Sequence, residues 1–305
     1  MILCVCPNPS VDIYVWIDAI HAGKVNRSSR EKQFPGGKGV HVALACAEMA
    51  REVTLLGFWG GPTGDWIRNE CRKYGIRDDG IGLSDWSRTC QSFKSDGEFD
   101  DTEILGVGPV ITSSHQDKMD DLLQKFIPAV SCVSMSGSWP AGATPDGYAR
   151  LIEICNRHGK KVFLDCTGEQ LSNALPLKPY SIHMNTNEAG VLFGEPDPEK
   201  GALELSKHCS LAAITAGKDG LFLSDGKEMV HANVTVDQCF SAVGSGDCLV
   251  AGLMMAYMDK MDLSDSARLG VACGAANCLR DDLGMLYKQD VENLFGLVNI
   301  KKIKT

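Results

Sequence analysis

Several things are scarce in this 305-residue chain, and each scarcity removes a class of function. Positive charge is in deficit: 30 Lys and Arg against 39 Asp and Glu leave a net charge of −9. Such a chain offers no broad basic field to nucleic acid or to an anionic membrane. Any anion must be met by local cations or backbone N–H groups. Long apolar runs are also missing. The longest near the C-terminus, Leu249 to Met258, is about half of the roughly 20 residues that cross a bilayer. The opening stretch MILCVCPNPSVD has no basic n-region and is broken by prolines. No signal peptide is expected, and the chain reads as soluble and cytoplasmic.

Common fingerprints are absent too. No G-x-x-x-x-G-K-[ST] occurs, so there is no P-loop. A dinucleotide G-x-G-x-x-G fails because Leu249 stands where a third glycine would follow Gly244 and Gly246. Thirteen cysteines contain no C-x-x-C pair. Cys4 and Cys6 form C-x-C, Cys273 and Cys278 are five apart, and His208-Cys209 is an isolated neighbour pair. Most sit in apolar contexts such as ILCVC, LACAE and IEICN, which suits buried, reduced thiols acting as small hydrophobes. A cysteine-based redox or metal protein would instead show a low-pKa thiol or bound metal.

What is present is alternation. ILCVC, VTLLGF, CVSM, KVFLD, SIHM and LAAIT are strand-length apolar runs with helical patterns between them. In TPDGYARLIEICNRHG, Thr144 suits a cap, Pro145 the first turn and Gly159 the end. Tyr148, Leu151, Ile152 and Cys155 share one face. The pattern predicts an α/β fold with a mostly parallel sheet covered on both faces. Ligands then sit at the carboxyl ends of strands. Two segments break the rhythm. VDIYVWI alternates, with Val11, Ile13, Val15 and Ile17 on one side and Asp12, Tyr14 and Trp16 on the other. TCQSFKS and TEILGV flank the polar turn SDGEFDD. Together they suggest a small separate sheet, a lid.

Three glycine-rich stretches could bind anions: PGGKGVHVALACAEMA, TAGKDGLFL and SAVGSGDCLVAGLMMAY. Each alone is compatible with an ordinary tight turn. In the last, Gly244-Ser245-Gly246 delivers a lone carboxylate, Asp247, to the front of an apolar helix. A helix start favours negative charge, so capping accounts for Asp247 as readily as chemistry does. Asn185, three residues before Glu188, likewise has the spacing of a capping box.

The order of the motifs resolves this. NPSVD, GKVNR, PGGKGVHVA, SRT, TEI with a later GP, SGSWPAG, LDCTGE, NTNE, TAGKDG and SAVGSGD follow one another almost end to end. In this the chain resembles the ribokinase-like sugar kinases, in particular the B-type phosphofructokinase branch. The resemblance implies a three-layer domain over 1–305, a central sheet between helices, and lid strands inserted at about 11–34 and 88–109. It implies transfer of the γ-phosphoryl group of ATP to a sugar hydroxyl, with Mg²⁺ accompanying the nucleotide. Asp247 becomes the catalytic base. The backbone N–H groups of Gly244, Ser245 and Gly246, without helical partners at a helix start, become an anion hole.

By the same resemblance, Asp12, Gly36 and Gly37 contact the sugar. Lys38 and Arg88 are candidates for the phosphate already on it, with Arg27 and Lys24 beside them. Ser136 matches a substrate-side position. Thr215, Gly217 and Gly220 match the ATP turn, Asn277 is placed near the nucleotide or on a helix surface, and Asn185 and Glu188 act on Mg²⁺ through water. The acceptor is a ketohexose phosphate: fructose 1-phosphate first, tagatose 6-phosphate or fructose 6-phosphate next. A lid-paired homodimer is expected, burying Tyr14 and Trp16.

Three departures stand out. His41 replaces the usual Asn of GGKGxN and would alter specificity if it touches sugar. His183-Met184 replaces a Lys-Pro, so a lysine near the ATP phosphates is missing. Trp139-Pro140-Ala141 replaces Leu-Pro-Pro. The second departure leaves a reading of another class open: a non-catalytic sugar-phosphate sensor on a kinase scaffold. Intact VGSGD opposes it.

Overall fold

The strand Ile2–Cys6 explains how the layers form. Successive side chains on a strand point to opposite faces. Ile2, Cys4 and Cys6 join one buried cluster, and Leu3 and Val5 join another. Both faces are therefore covered, and the strand reads as continuously apolar. In the computed structural model, which describes residues 1–97 and 99–304, this strand lies within a ten-stranded sheet. Glu98, in the expected polar turn, and Thr305 lie outside the described residues.

The sheet runs, edge to edge, Asn299–Ile303, Met229–Asn233, Leu221–Ser224, Leu211–Thr215, Ser181–Asn185, Lys161–Asp165, Cys132–Ser136, Ile2–Cys6, Val53–Gly60, Arg77–Leu83. Pairing is parallel from Leu211–Thr215 to Arg77–Leu83 and antiparallel across the three strands at the other edge. The sequence pattern does not reveal those three. LFLS is short, and NIKKI exposes Lys301 and Lys302, as an edge strand protected against further pairing does.

Helices Lys38–Glu48, Ser245–Met258 and Leu263–Cys278 cover one face. Helices Ser113–Phe126, Gly147–Arg157 and Pro198–Ser206 cover the other. Helix Ser245–Met258 is buried along nearly its whole length. A Cβ at Gly252 would stand 2.8 Å from Gly270 Cα, so the two helices meet backbone to backbone. That contact seats the helix carrying Asp247. The helix in TPDGYARLIEICNRHG starts two residues later than expected, at Gly147 after Asp146. Thr144 is drawn instead into hydrogen bonds with Gln116.

A second, four-stranded sheet runs Arg30–Gly36, Ser10–Trp16, Arg88–Lys94, Thr102–Leu105. Val11, Ile13 and Val15 pack into the large core, while Asp12 points to the opposite side of the strand. Tyr14 is not an exposed face. It is 1% exposed, with ring centroids 5.5 Å from Phe34 and 5.9 Å from Phe240. Its ring is more stable edge-on against those aromatics than in water. The exposed apolar side chains of this sheet are Ile104 and Leu105. No helix among the described residues is long and apolar enough to cross a membrane.

Candidate active site

A cavity of about 400 Å³ opens between the lid and the carboxyl ends of the parallel strands. Asp12, Lys38, His41, Arg88, Glu188 and Asp247 all line it. They come from distant parts of the chain and meet because the motifs end strands or begin helices.

The glycine turn before Asp247 is built for close approach. Gly244 has φ +85°, and a Cβ there would collide with Gly284 Cα. Asn277 holds the turn from beneath: its Nδ2 donates to Val243 O at 2.9 Å and to Ser245 Oγ at 3.1 Å. Asn277 is 2% exposed, so it neither lies on a helix surface nor faces the cavity. The anion hole also differs from expectation. Ser245 N–H donates to Ala242 O at 3.1 Å and is already used. Gly246 and Asp247, in the first helical turn, have N–H groups with no acceptor inside the helix.

Asp247 is buried, and its Oδ2 lies 2.8 Å from His41 Nδ1. Burial pushes its carboxyl above the usual range, opposed by His41 and Lys38. On the far side, His41 Nε2 is 3.5 Å from Asp12 Oδ2, an ion-pair spacing without hydrogen-bond geometry. Burial disfavours the imidazolium, but the two carboxylates outweigh it and raise His41 to about 9. Burial likewise raises Asp12, yet His41, Ser10 and Arg88 bring it below the usual range.

A second chain of contacts leads away from Lys38 in the cavity. Lys38 Nζ lies 2.5 Å from Asp165 Oδ1, Asp165 Oδ2 lies 2.7 Å from His183 Nδ1, and His183 Nε2 lies 3.2 Å from Thr215 Oγ1. Burial opposes the charged form of Lys38, but Asp165, Asp247 and Glu188 raise its pKa. Burial would raise Asp165, and the Lys38 and His183 contacts hold it well below the carboxylate range. His183 also lies under the anion turn, since a Cβ at Gly246 would stand 2.9 Å from His183 Cε1. It thus stands where a lysine is expected and connects Thr215, through Asp165, to Lys38 in the cavity.

The remaining expected residues divide. A Cβ at Gly36 would overlap the Asp12 carboxylate, and Gly37, at φ +97°, opens the helix that begins with Lys38. Arg88 Nε donates to Asn8 O at 3.3 Å beside the cavity. Glu188 and Asn185 form the capping box that their spacing suggests, and Glu188 also lines the cavity. Gly217 and Gly220 form a tight turn after Thr215; a Cβ on Gly220 would overlap Ala232 O. Ser136 does not face the cavity: it is fully buried, its Oγ 3.0 Å from Ser134 Oγ, and Gly137 and Ser138 line the wall instead. Arg27 and Lys24 are exposed and are not among the lining residues. The sequence patterns do not pick out Asn8, Glu103, Asp165 or Thr167 individually. Asn8, Asp165 and Thr167 lie in NPSVD and LDCTGE, but a motif names neighbours without giving directions. His183 was noticed only as a missing lysine.

Among the described residues four buried side-chain polar atoms have no hydrogen-bond partner, and three of them, Asn8 Oδ1, Asp12 Oδ1 and His41 Nε2, belong to cavity residues. Such atoms suit a ligand rich in hydroxyls. Carboxylates, cations and a glycine-rich helix start thus converge on one polar cavity, an arrangement suited to moving a phosphoryl group onto a hydroxyl. Comparison with known proteins sharpens this class. The chain belongs to the pfkB family of carbohydrate kinases, whose pattern it matches over residues 8–285. It is 29% identical to the 1-phosphofructokinase of Bacillus subtilis (strain 168), over 99% of this chain and all of that one. A Thermotoga maritima structure described as a possible 1-phosphofructokinase superposes with a TM-score of 0.90 at 19% identity, over the full length of both chains. Escherichia coli phosphofructokinase-2 with potassium gives 0.87 at 21%, over 97% of this chain and 98% of that one.

Proposed function

We propose that this kinase transfers the γ-phosphoryl group of ATP to the 6-hydroxyl of fructose 1-phosphate, giving fructose 1,6-bisphosphate and ADP. The observation that carries the reading is the shared cavity, lined by buried Asp12 and Asp247 together with the cations Lys38 and Arg88. The full-length similarity to a 1-phosphofructokinase supports the choice of sugar.

In the reaction, the acceptor oxygen attacks the γ-phosphorus, its proton passes to Asp247, and the bond from phosphorus to the ADP oxygen breaks. Asp12 and Asn8 orient sugar hydroxyls. Arg88, on the lid, meets the phosphate already on the acceptor. Lys38, expected with Arg88 at the phosphate already on the sugar, is fixed by Asp165 and lies near Asp247 and Glu188, so in this reading it meets the phosphoryl group in flight instead. The N–H groups of Gly246 and Asp247 stabilise its oxygens. The nucleotide lies toward Thr215 and the Gly217–Gly220 turn.

Among the described residues no group of three or more His, Cys, Asp or Glu is spaced as a metal cage. Mg²⁺ that keeps its waters and shares phosphate oxygens needs only one or two carboxylates, and Glu188, with Asn185 beside it, fits that demand. When bound, the cation would neutralise charge on the β- and γ-phosphates.

A homodimer through the lid is part of the proposal. Ile104 and Leu105, 58% and 61% exposed, supply the apolar surface that Tyr14 does not. Sedimentation that shows only monomer would remove it. The test of function is an ADP-release assay with fructose 1-phosphate, tagatose 6-phosphate, fructose 6-phosphate and free fructose. Turnover with fructose 1-phosphate above the others is expected. Saturable binding with no turnover of any sugar would point to a sensor.

A further inference from the structure

His41 joins the two carboxylates on which the proposed chemistry depends. Asp12 comes from the strand Ser10–Trp16, His41 from the helix Lys38–Glu48, and Asp247 from the helix Ser245–Met258. Nδ1 faces Asp247 Oδ2 at 2.8 Å and Nε2 faces Asp12 Oδ2 at 3.5 Å. A neutral imidazole carries one N–H and serves one of these oxygens. An imidazolium donates to Asp247 and also sets its positive charge at ion-pair spacing from Asp12. The backbone of Gly284 lies close against the ring, since a Cβ there would overlap it.

The other charges around the ring agree. From the lid come Asp12, with Arg88 and Glu103 behind it. From the helix opposite comes Asp247. On its own helix, Lys38 is engaged by Asp165. Two buried carboxylates thus face one ring, while Lys38, paired with Asp165, shares the field of Asp247.

We propose that His41 is a positioning residue for phosphoryl transfer: an imidazolium that bridges Asp12 and Asp247 and fixes the base. The inference rests on Asp247 being that base. With Oδ2 held by His41, Oδ1 is the oxygen left for the acceptor hydroxyl. The proton moves from that hydroxyl to Oδ1, and the imidazolium keeps its own throughout. The sugar contact and the base are thereby set by one ring, so a sugar seated on Asp12 is seated against Asp247.

Loss of the imidazolium proton has two opposed effects. Asp247 becomes more basic, and one unit of added basicity returns at most about tenfold in rate. The two carboxylates also lose their shared fixture and repel, and a misplaced catalytic group costs about 10²-fold. Positioning wins, so activity should fall as His41 deprotonates.

Two arms test this on the full chain. In the first, NMR follows the histidine rings with pH, with His41→Asn identifying the His41 signal. The wild-type ring should titrate near 9 and move toward the ordinary value of 6.5 in Asp247→Asn. A ring that titrates at or below 6.5, or is unmoved by Asp247→Asn, overturns the proposal. In the second arm, wild-type kcat/KM for the sugar phosphate should decline through about pH 9. His41→Asn and His41→Gln should be about 10²-fold slower and lack that decline. A merely structural His41 would lower activity at every pH and leave the decline in place, which overturns the proposal. A wild-type protein that phosphorylates no sugar sinks the assignment of the base itself, and the NMR arm then decides separately whether the charged bridge exists.

Discussion

Lys38 Nζ and Asp165 Oδ1 lie 2.5 Å apart, joining the helix that follows PGGKG to the end of the strand Lys161–Asp165. The same carboxylate holds His183, so one aspartate fixes both a cation in the cavity and the ring under the anion turn. Asp165→Asn should therefore lower kcat more than it raises the KM for sugar. Breaking a buried pair costs about 3–5 kcal/mol. Here the lysine side chain is 40% exposed, so roughly 1–3 kcal/mol is expected by denaturant unfolding. Because folding depresses Asp165, its contribution is present above its unfolded value of about 3.9 and is lost as pH falls. The mutant's stability deficit should accordingly shrink in acid.

Gly36→Ala tests the sugar side. The new methyl would occupy the position of the Asp12 carboxylate, which is carried by the strand paired with that of Gly36. The expected result is a fall in kcat/KM for sugar of about 10²-fold. The affinity for ATP, measured by direct binding, should stay near wild type.

Asn277→Ala tests the turn rather than the cavity. It removes the donors to Val243 O and Ser245 Oγ and costs about 1–3 kcal/mol. The KM for ATP should rise and kcat should fall. An unchanged turnover with only a stability loss would show that the turn holds its shape unaided.

Much of this architecture is legible in the sequence where a pattern has a period or a fixed neighbour. The parallel strands announce themselves as short apolar runs, and the VDIYVWI alternation correctly sends Asp12 away from Val11 and Ile13. Alternation alone, however, cannot distinguish water from a second packing layer, so Tyr14 read as exposed while Phe34 and Phe240 cover it. Asn277 was equally unreadable, because its role is to hold Val243 and Ser245, more than thirty residues away. The anion turn was visible as glycines, but the Ser245 N–H bond to Ala242 depends on the φ of +85° at Gly244. His41 was seen as a departure from a pattern, and only its place between two carboxylates gives that departure a meaning.

Stability should carry the mark of His41 as well. Folding raises its pKa from 6.5 to about 9, so the folded state holds the proton more tightly. The resulting stabilisation is complete below about pH 6.5 and is lost as pH rises through about 9. Buried thiols, whose pKa values burial raises, also favour unfolding in alkali, so the informative quantity is a difference. The unfolding midpoint of the wild type should drop further between pH 6.5 and 9.5 than that of His41→Asn, as read by thermal scans. Parallel curves would contradict the raised value.

The most direct measurement is ADP release from ATP with fructose 1-phosphate, comparing the wild type with Asp247→Asn. Asparagine keeps the shape and removes the basicity, and loss of a general base costs about 10²–10⁴-fold. The account predicts Mg²⁺-dependent turnover by the wild type, and a loss of that size in the mutant with sugar binding retained. Near-wild-type turnover by Asp247→Asn would contradict it.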